Sequence, residues 1–309
     1  MPNLILVYQP AKMAMSDYQT IAAAIAKKRP DIKTFIVDTK ELNWADAAQA
    51  AQAPTLTVSP LPIKKFKPPR GPVFEGYEWP KGQQYEWLRE IGVPVPDWTE
   101  ITPDLKLDPE EWGPYVVVKP ELGRRGAEVH IKRTGRVRYK PRDAYPDEHP
   151  GSKCAMLVQR FVYTGRWAIN YRVAVLFGKA LFCWRCELDN KFPPLNSRYD
   201  FRDGGGISIV SNKRSSRYTL AYDKDVIALA ERVHEVFPKQ PLLGSDIVRD
   251  ADSGELYLIE ASPRGDGWNM SSDTGMEIQN TNGIDLTKQF GALEIAADVL
   301  IEKTLEAAR

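Results

Sequence analysis

Two acidic residues, Asp246 and Glu260, lie in neighbouring apolar segments and are the strongest candidates for chemistry. Residues 245–249 and 256–261 have the composition of β-strands, and an antiparallel pairing would place the two carboxylates opposite each other, with Cβ atoms ~5 Å apart. Facing carboxylates repel each other unless a cation lies between them, and Mg²⁺ commonly binds one or two carboxylates together with phosphate oxygens. Ser262, on the same strand face, could add a hydroxyl. A pair of exposed acids is the alternative, but the apolar neighbours favour a metal site.

The loop PELGRRG lies between two further predicted strands, residues 115–119 and 127–132, and has the composition of a phosphate-binding loop. Gly123 and Gly126 would let the backbone approach a phosphate closely, and the two arginines between them add positive charge. Lys119, at the end of the strand VVVK, would direct an ammonium group to the same place. An ordinary glycine-containing hairpin, with a lysine that protects a strand edge, is the alternative.

Arginines on a predicted hairpin could bind an anion. A two-residue turn at residues 178–179 would place Arg172 opposite Arg185. Like charges in this arrangement are destabilising, so either Glu187 neutralises the pair or a bound anion such as a phosphate does. Arg264 follows the second acidic strand closely, and it could reach the same anion or could pair with a nearby acid on the surface.

The elements that must position these residues follow from local patterns. Residues 1–60 alternate between strand and helix, which predicts a small parallel sheet. Residues 59–82 carry six prolines, which predict an extended linker. In the acidic hairpin, Val248 is expected opposite Leu258. The other predicted strands are 4–8, 34–37, 55–58, 156–162, 171–177 and 180–187, and the predicted helices are 17–28, 83–91, 223–237 and one long helix from about residue 285.

The composition excludes several classes of protein. The chain has 309 residues, of which 43% are hydrophobic and 27% charged, as in folded globular proteins. The net charge of +1 predicts no general affinity for nucleic acid or an anionic membrane. The segment 119–142 is an exception, because nine Lys or Arg and two Glu give it a net charge of +7. Such a segment could attract an acidic partner or could form a solvated surface.

The cysteines and histidines carry little functional signal. Three cysteines predict no disulfide framework, which suits a reducing cytoplasm. Cys183 and Cys186 have a CxxC spacing, but residues three apart on a strand point to opposite faces, which argues against a shared metal. His130, His149 and His234 share no ligand spacing and are expected to be surface or packing residues. No apolar run approaches the ~20 residues needed to span a bilayer, so we predict a cytoplasmic protein.

The order of these motifs resembles the ATP-grasp superfamily. The motifs are VVVKP, the glycine loop, LVQRFV, NYRVAV, GSDIV and LIEASPRG, and the tract RYDFRDGGGISIV is most similar to the amino-acid-ligating branch with ribosomal-protein glutamate ligases and glutathione synthetases. The resemblance covers residues 77–309. It implies an α/β N-terminal domain over residues 1–76, followed by an α+β ATP-grasp fold with ATP between two lobes, residues 77–153 and 154–309.

The resemblance also implies roles for particular residues. Lys81 and Lys119 would contact the ATP phosphates, with the glycine loop closing over them, and Arg172 would contact the γ-phosphate. Ser262 stands where the family usually has Asn, and Arg160 stands where an acid is common. The implied nucleotide-binding residues are Lys81, Lys119, Gly123, Arg124, Gly126, Gln159, Arg160, Phe161 and Val162, the catalytic residues Arg172, Arg185 and Arg264, and the metal ligands Asp246, Glu260 and Ser262.

The implied function is an ATP- and Mg²⁺-dependent carboxylate–amine ligase. It would act through an acyl phosphate and release ADP and phosphate. The expected partners are small-molecule or peptide carboxylates and amines, with an acidic substrate suggested by the basic segment, and a homodimer is expected, but no nucleic acid or membrane. An ATP-grasp kinase and a non-catalytic nucleotide-binding protein are the alternatives.

Overall fold

The first sheet is parallel and is formed by the N-terminal part of the chain. In the computed structural model, which describes residues 1–39, 52–63, 70–123, 126–188, 216–265 and 267–309, the strand order is β2-β1-β3-β4. These strands are β1 (Asn3–Tyr8), β2 (Lys33–Asp38), β3 (Thr55–Ser59) and β4 (Val73–Glu75), with helix α1 (Met15–Lys28) after β1. The predicted parallel sheet is confirmed, and β4 is an additional strand within the predicted linker.

The second sheet is antiparallel and has the order β5-β8-β6-β7. Its strands are β5 (Trp98–Glu100), β6 (Tyr115–Pro120), β7 (His130–Arg133) and β8 (Met156–Arg160), and helices α2 (Lys81–Glu90) and α3 (Pro109–Trp112) flank β5. Strand β7 begins three residues later than predicted, because a turn at residues 126–129 precedes it. The predicted domain boundaries after residues 76 and 153 stay predictions.

The third sheet has five strands in the order β11-β10-β9-β12-β13, all antiparallel to their neighbours. Four helices follow or interrupt it. The strands are β9 (Ile169–Leu176), β10 (Lys179–Leu188), β11 (Ser216–Leu220), β12 (Leu242–Arg249) and β13 (Leu256–Ser262), and the helices α4 (Lys224–Val233), α5 (Asp273–Asn282), α6 (Leu286–Gln289) and α7 (Ala292–Ala307).

The register of the β9–β10 hairpin differs from the prediction. Its turn consists of Phe177 and Gly178, with φ of 45° and 83°, one residue earlier than expected. A register shift follows between Ala180 and Phe182. Arg172 therefore lies opposite Trp184, and the predicted pairing with Arg185 is wrong. Because neighbouring strand residues point to opposite faces, the two arginines lie on opposite sides of the sheet.

The β12–β13 hairpin keeps the key pair but not the expected register around it. Asp246 lies opposite Glu260, as predicted. Leu258, however, lies opposite Ile247 and not Val248, because an irregularity follows Asp246. A β-bulge of this kind shifts the pairing by one residue on one side only, so the two carboxylates stay together.

The C-terminal helix is interrupted. A single helix from about residue 285 was expected, but α6 ends at Gln289 and α7 begins at Ala292. Gly291, between them, has a φ of 75°, which is a left-handed conformation that favours glycine. Helix α5 was not predicted. No helix in the described parts of the chain is long and apolar enough to cross a membrane.

The third sheet is covered on both faces. One face packs with the first sheet, α1 and α7 in a shared core that includes Leu6, Ile21, Trp184 and Leu300. The other face packs under α2 and α4, and the predicted apolar residues Val226, Ala230, Val233 and Phe237 are buried there. Helix α4 was predicted to reach residue 237 but ends at Val233, so Phe237 lies beyond it. Cys183 and Cys186 belong to different cores, which confirms that they point to opposite faces.

Candidate active site

Two adjacent cavities lie where the second sheet meets the third. The larger has a volume of about 530 Å³ and the smaller about 80 Å³. The larger also extends to the first sheet, because Gln9 and Lys12, which follow β1, line it. Six residues line both cavities and therefore form their common wall: Lys81, Gly123, Gly126, Asn170, Asp246 and Glu260.

Asp246 is held by Arg172 on the neighbouring strand β9. The Arg172 Nη1 donates to both carboxylate oxygens, at 3.2 Å and 2.9 Å. Asn170, two residues earlier on the same face of β9, donates from Nδ2 to Oδ1 at 3.4 Å. Burial raises the pKa of Asp246 to about 6, although the Arg172 guanidinium opposes this rise. The carboxylate is therefore poorly solvated, and its ion pair with Arg172 stabilises the charged form.

Glu260 lies near the two lysines as well as Arg172, and its pKa is shifted in the opposite direction. Burial favours its neutral form, but the ammonium groups of Lys81 and Lys119 and the Arg172 guanidinium outweigh burial and lower its pKa. The Lys81 Nζ lies 3.4 Å from Oε1 of this carboxylate. The surroundings thus shift the pKa values of the two facing acids in opposite directions. Shifted pKa values of this kind are common at functional sites.

Lys119 is buried at the end of β6 and all three of its N–H donors have acceptors. Its Nζ donates to the Tyr85 hydroxyl at 2.6 Å, to Gln159 Oε1 at 2.7 Å and to the Ile259 carbonyl at 3.0 Å. Burial lowers the pKa of Lys119 to about 7, with Glu260 opposing the change. Tyr85 donates in turn to the Ile259 carbonyl at 2.7 Å.

The described residues at both ends of the glycine loop lie close to helix α2 or line the cavities. The Lys81 Nζ donates to the Gly123 carbonyl at 3.1 Å, and the Lys81 amide donates to the Glu121 carbonyl at 3.2 Å. Gly126 has a φ of 68°, which is accessible to glycine at little cost. Arg124 and Arg125, the two arginines of the predicted loop, lie outside the described residues.

The three arginines predicted to be catalytic do not lie together. Arg172 lies in the site. Arg264 lines the larger cavity, with Nη1 at 3.3 Å from Oε2 of Glu78. The position predicted for Arg185 is wrong, because this residue lies on the opposite face of the sheet. Its Nη2 donates to Oε2 of Glu187 at 2.6 Å. The neutralised arrangement, offered as an alternative to anion binding, is the one observed for Arg185.

The segment 159–162, which the resemblance implies to be nucleotide-binding, lines the smaller cavity in part. Gln159, Arg160 and Val162 line it, whereas Phe161 packs with a small apolar cluster beside β6 and β7. Arg160 is directed partly to solvent, with 54% of its side chain exposed and Asp97 at 3.9 Å. The remaining wall is largely apolar and includes Val117, Val129, Val248 and Ile259.

Sequence reasoning missed several residues of the site. Tyr85 lies four residues after Lys81 on α2, and Asn170 lies two residues before Arg172 on β9. Both spacings place side chains on one face of their element, so these two residues could have been found. The missed aromatic residues of the larger cavity are Trp79, Trp184, Tyr218 and Trp268, which come from four separate segments and share no local pattern.

The oxygen atoms of the site fit a magnesium ion. Asp246 and Glu260 offer carboxylates, and Ser262 lines the larger cavity. The Asn170 Oδ1 is buried, with no hydrogen-bond partner among the residues that the structure describes. Mg²⁺ prefers hard oxygen ligands and keeps waters or phosphate oxygens in its other positions. No group of three or more His, Cys, Asp or Glu among the described residues could hold a metal, so an ion here would need such additional ligands.

Neither a protein-family model nor a curated protein sequence matches the chain, but solved structures do. D-cycloserine synthetase DcsG is 16% identical over 98% of this chain and 99% of its own, with a TM-score of 0.52. The ATP-grasp ligase PsnB, complexed with a minimal precursor, Mg and ADP, is 16% identical over 97% of both chains, also with a TM-score of 0.52. Macrocyclase MdnC from Microcystis aeruginosa MRC, bound to precursor peptide MdnA, is 10% identical over 97% of this chain and 99% of its own, with a TM-score of 0.50. At these identities the similarity shows the fold, and the predicted ATP-grasp fold is confirmed.

Proposed function

We propose that this protein is an ATP-dependent ligase that joins a carboxylate to an amine. The observation that carries the proposal is the pair of facing acids, Asp246 and Glu260, beside the cationic groups of Lys81, Lys119 and Arg172 where the two cavities meet. A whole-chain ATP-grasp fold supports it, since PsnB is a ligase that binds Mg and ADP.

The nucleotide would occupy the smaller cavity and reach toward the larger. The apolar wall of the smaller cavity suits the adenine base, and backbone groups at Phe161 and Val162 would contact its edge. Lys81, Lys119 and the glycine loop would hold the phosphates. Lys119 already makes three hydrogen bonds, so it would have to exchange at least one of them to contact a phosphate.

Asp246, Glu260 and Asn170 would hold Mg²⁺, with Ser262 as a further oxygen donor. When bound, the ion would neutralise the charge on the transferring phosphoryl group. Arg172 contacts both oxygens of Asp246. Coordination of that carboxylate would compete with this ion pair and would release the guanidinium toward the γ-phosphate.

The substrate carboxylate would lie in the larger cavity, which has room for a small molecule or the end of a peptide. Its oxygen would attack the γ-phosphorus, the bond to the bridging oxygen would break, and ADP would leave. The amine would then attack the acyl carbon, lose a proton, and displace inorganic phosphate. Arg172 and Arg264 would stabilise the charge that develops in these steps. An acidic substrate, a homodimer and a cytoplasmic location stay predictions.

The nucleotide and metal site is tested by urea unfolding with ATP, in the presence and absence of Mg²⁺. At 100 times its dissociation constant, a ligand stabilises the folded state by ~2.7 kcal/mol. We expect this Mg²⁺-dependent stabilisation in the wild type and in Asp252→Asn, a matched exposed carboxylate in the turn of the same hairpin. We expect its loss in Glu260→Gln. Equal stabilisation in all three proteins would contradict the site.

The reaction type is tested by following the γ-phosphate with pooled carboxylates, amines and peptides. A ligase releases ADP and free phosphate in a one-to-one ratio with amide formation. A kinase releases ADP and leaves the phosphate on a stable product. Binding of Mg-ATP without ADP formation in every pool would instead favour the non-catalytic alternative.

A further inference from the structure

Glu128 combines a rare backbone conformation with an unusual side-chain environment. Its φ is 56°, in the left-handed region that residues other than glycine seldom adopt. Its Oε2 lies 3.0 Å from His130 Nε2 and 3.1 Å from His149 Nε2. The sequence analysis found no spacing that relates the two histidines, but the fold brings both to one carboxylate oxygen.

The hydrogen bonds of His149 define what kind of cluster this is. The Gly151 amide donates to its Nδ1 at 2.9 Å, so this nitrogen carries no proton and the proton of the neutral ring lies on Nε2. Nε2 therefore donates to Glu128. A metal-binding histidine would show the opposite arrangement, with the second nitrogen donating to a nearby acceptor. The cluster is thus a hydrogen-bonded clamp, and the histidines lower the pKa of Glu128 accordingly.

The clamp connects the turn at residues 126–129 to a separate segment. The His149 ring stacks on Tyr145, with centroids 4.4 Å apart and planes at 22°. The His149 carbonyl accepts from the Ser152 amide at 3.0 Å. These contacts fix the orientation of His149 independently of the loop, so the histidine can serve as a fixed anchor for Glu128.

The anchored residue lies within a turn that forms part of the cavity wall. The Val129 amide donates to the Gly126 carbonyl at 3.3 Å and closes the turn at residues 126–129. Ala127 and Val129, on either side of Glu128, line the smaller cavity, and Gly126 lines both cavities. A left-handed conformation at a residue with a side chain costs roughly 1–2 kcal/mol, so something must hold Glu128 there.

We propose that Glu128 is a positioning residue for nucleotide binding, whose carboxylate, clamped by His130 and His149, holds the turn at residues 126–129 against the smaller cavity. That a nucleotide binds in the smaller cavity rests on the proposed function. The clamp itself rests only on the contacts of the three side chains.

Two substitutions separate the carboxylate from the backbone conformation. Glu128→Ala removes the clamp but keeps a Cβ atom and therefore the cost of a positive φ. Glu128→Gly removes both. By isothermal titration calorimetry with Mg-ATP, we expect Glu128→Ala to bind about tenfold more weakly than the wild type, the loss that ~1.4 kcal/mol would cause. Glu128→Gly should bind more weakly than the wild type but less weakly than Glu128→Ala, because it also removes the cost of the positive φ. The exposed neighbour Glu148→Ala should bind within about twofold of the wild type.

A third substitution tests the partner. His149→Phe keeps a ring that can stack on Tyr145 but removes the donor to Glu128. Its effect on Mg-ATP affinity should match that of Glu128→Ala, and the double variant should bind no more weakly than either single variant. Additive effects, or wild-type affinity in Glu128→Gly, would overturn the proposal.

Hydrogen exchange measured by mass spectrometry tests the clamp without nucleotide. The peptide that contains residues 126–131 should exchange faster in Glu128→Ala than in the wild type, and at the wild-type rate in Glu148→Ala. Equal exchange in all three would overturn the clamp. Faster exchange in Glu128→Ala, in a protein whose wild type does not bind Mg-ATP, would support the clamp and contradict the proposed function.

Discussion

Two lysines of the site differ because their surroundings differ. Lys81 borders both cavities beside Glu260. Lys119 is more enclosed, only 5% exposed, and is surrounded by the neutral acceptors Tyr85, Gln159 and Ile259. Burial in neutral surroundings favours an uncharged amine. The pKa of Lys119 is lowered to about 7 for this reason, so its charge state near neutral pH is sensitive to what binds beside it.

The lowered pKa of Lys119 predicts a pH-dependent stability. Between pH 7 and 10.5 the unfolded chain holds a proton on this lysine and the folded chain does not, so the free energy of unfolding should rise with pH in that window. For one proton the maximum slope is about 1.4 kcal/mol per pH unit. The unfolding free energy of the wild type minus that of Lys119→Met, measured by urea unfolding, should therefore increase from pH 7 to pH 10.

The Met variant is its own control for other titrating groups, since those groups contribute to both proteins. Lys33→Met, at an exposed lysine on β2, should show no such rise against the wild type. A wild-type minus Lys119→Met difference that does not change from pH 7 to pH 10 would show that Lys119 stays charged in the folded protein.

At the scale of elements, the pairing of β9 with β12 builds the acidic half of the site. Asp246 on β12 lies opposite Arg172 on β9. Gly244, two residues before Asp246, lies opposite Ala174. A Cβ atom on Gly244 would lie 2.7 Å from Arg172 Nη2 and 3.2 Å from its Cζ. The missing side chain at Gly244 therefore leaves the space that the guanidinium occupies.

Gly244→Ala should move the Arg172 guanidinium without unfolding the sheet, because the contacted atoms belong to a flexible side chain. If Arg172 serves the γ-phosphate, the stabilisation by Mg-ATP should fall by about 1.5–3 kcal/mol, the range for a hydrogen bond to a charged group. The measurement is urea unfolding with and without Mg-ATP.

Ser245→Ala is the matched control for this substitution. Ser245 is the next residue on β12 and points to the opposite face, and its buried hydroxyl has no hydrogen-bond partner among the described residues. Its loss should change neither the stability by more than ~0.5 kcal/mol nor the effect of Mg-ATP. An unchanged nucleotide effect in Gly244→Ala would remove Arg172 from the proposed role.

At the scale of the whole molecule, the first sheet and the third sheet share one core. A buried carboxylate reinforces this connection, because Asp17 on α1 accepts from Trp268 Nε1 at 2.8 Å and from the Ser271 hydroxyl at 2.5 Å. The Ser271 hydroxyl accepts in turn from the Ala14 amide at 3.0 Å. Trp268 also lines the larger cavity, so the N-terminal part of the chain shapes the proposed substrate site.

This shared core predicts that the protein unfolds in one transition. Tryptophan fluorescence and far-UV circular dichroism should give the same urea midpoint. Asp17→Ala leaves the buried Trp268 Nε1 and the half-buried Ser271 hydroxyl without this acceptor. The buried donor alone should lower the unfolding free energy by about 1–3 kcal/mol. Both probes should report the same loss.

Asp31→Ala provides the comparison within the same part of the chain. Asp31 forms a partly exposed ion pair with Arg29 at 2.6 Å, and such pairs contribute at most about 1 kcal/mol. Two separate transitions in the wild type, or equal losses in Asp17→Ala and Asp31→Ala, would show that the N-terminal sheet is not coupled to the rest through Asp17.

Local patterns in the sequence were sufficient for most of the elements. Alternation of strand and helix identified β1, β2 and β3 but not β4, and the predicted apolar residues Val226, Ala230 and Val233 of α4 are buried. The pairing of Asp246 with Glu260 is also as expected, although the expected register nearer the turn was wrong and the irregularity after Asp246 restores this pair. The strands and the apolar helix face depend on residues close in sequence, so propensity and periodicity determine them.

The tertiary structure decided what depends on a local irregularity or on distant segments. The β9–β10 turn is formed by Phe177 and Gly178, and the register irregularity between Ala180 and Phe182 then places Arg185 opposite Tyr171, on the face of the sheet away from the site. Glu128 and His149 are 21 residues apart and meet only when the second sheet has formed. Spacing alone cannot reveal such contacts, because the packing of the rest of the chain brings the two segments together.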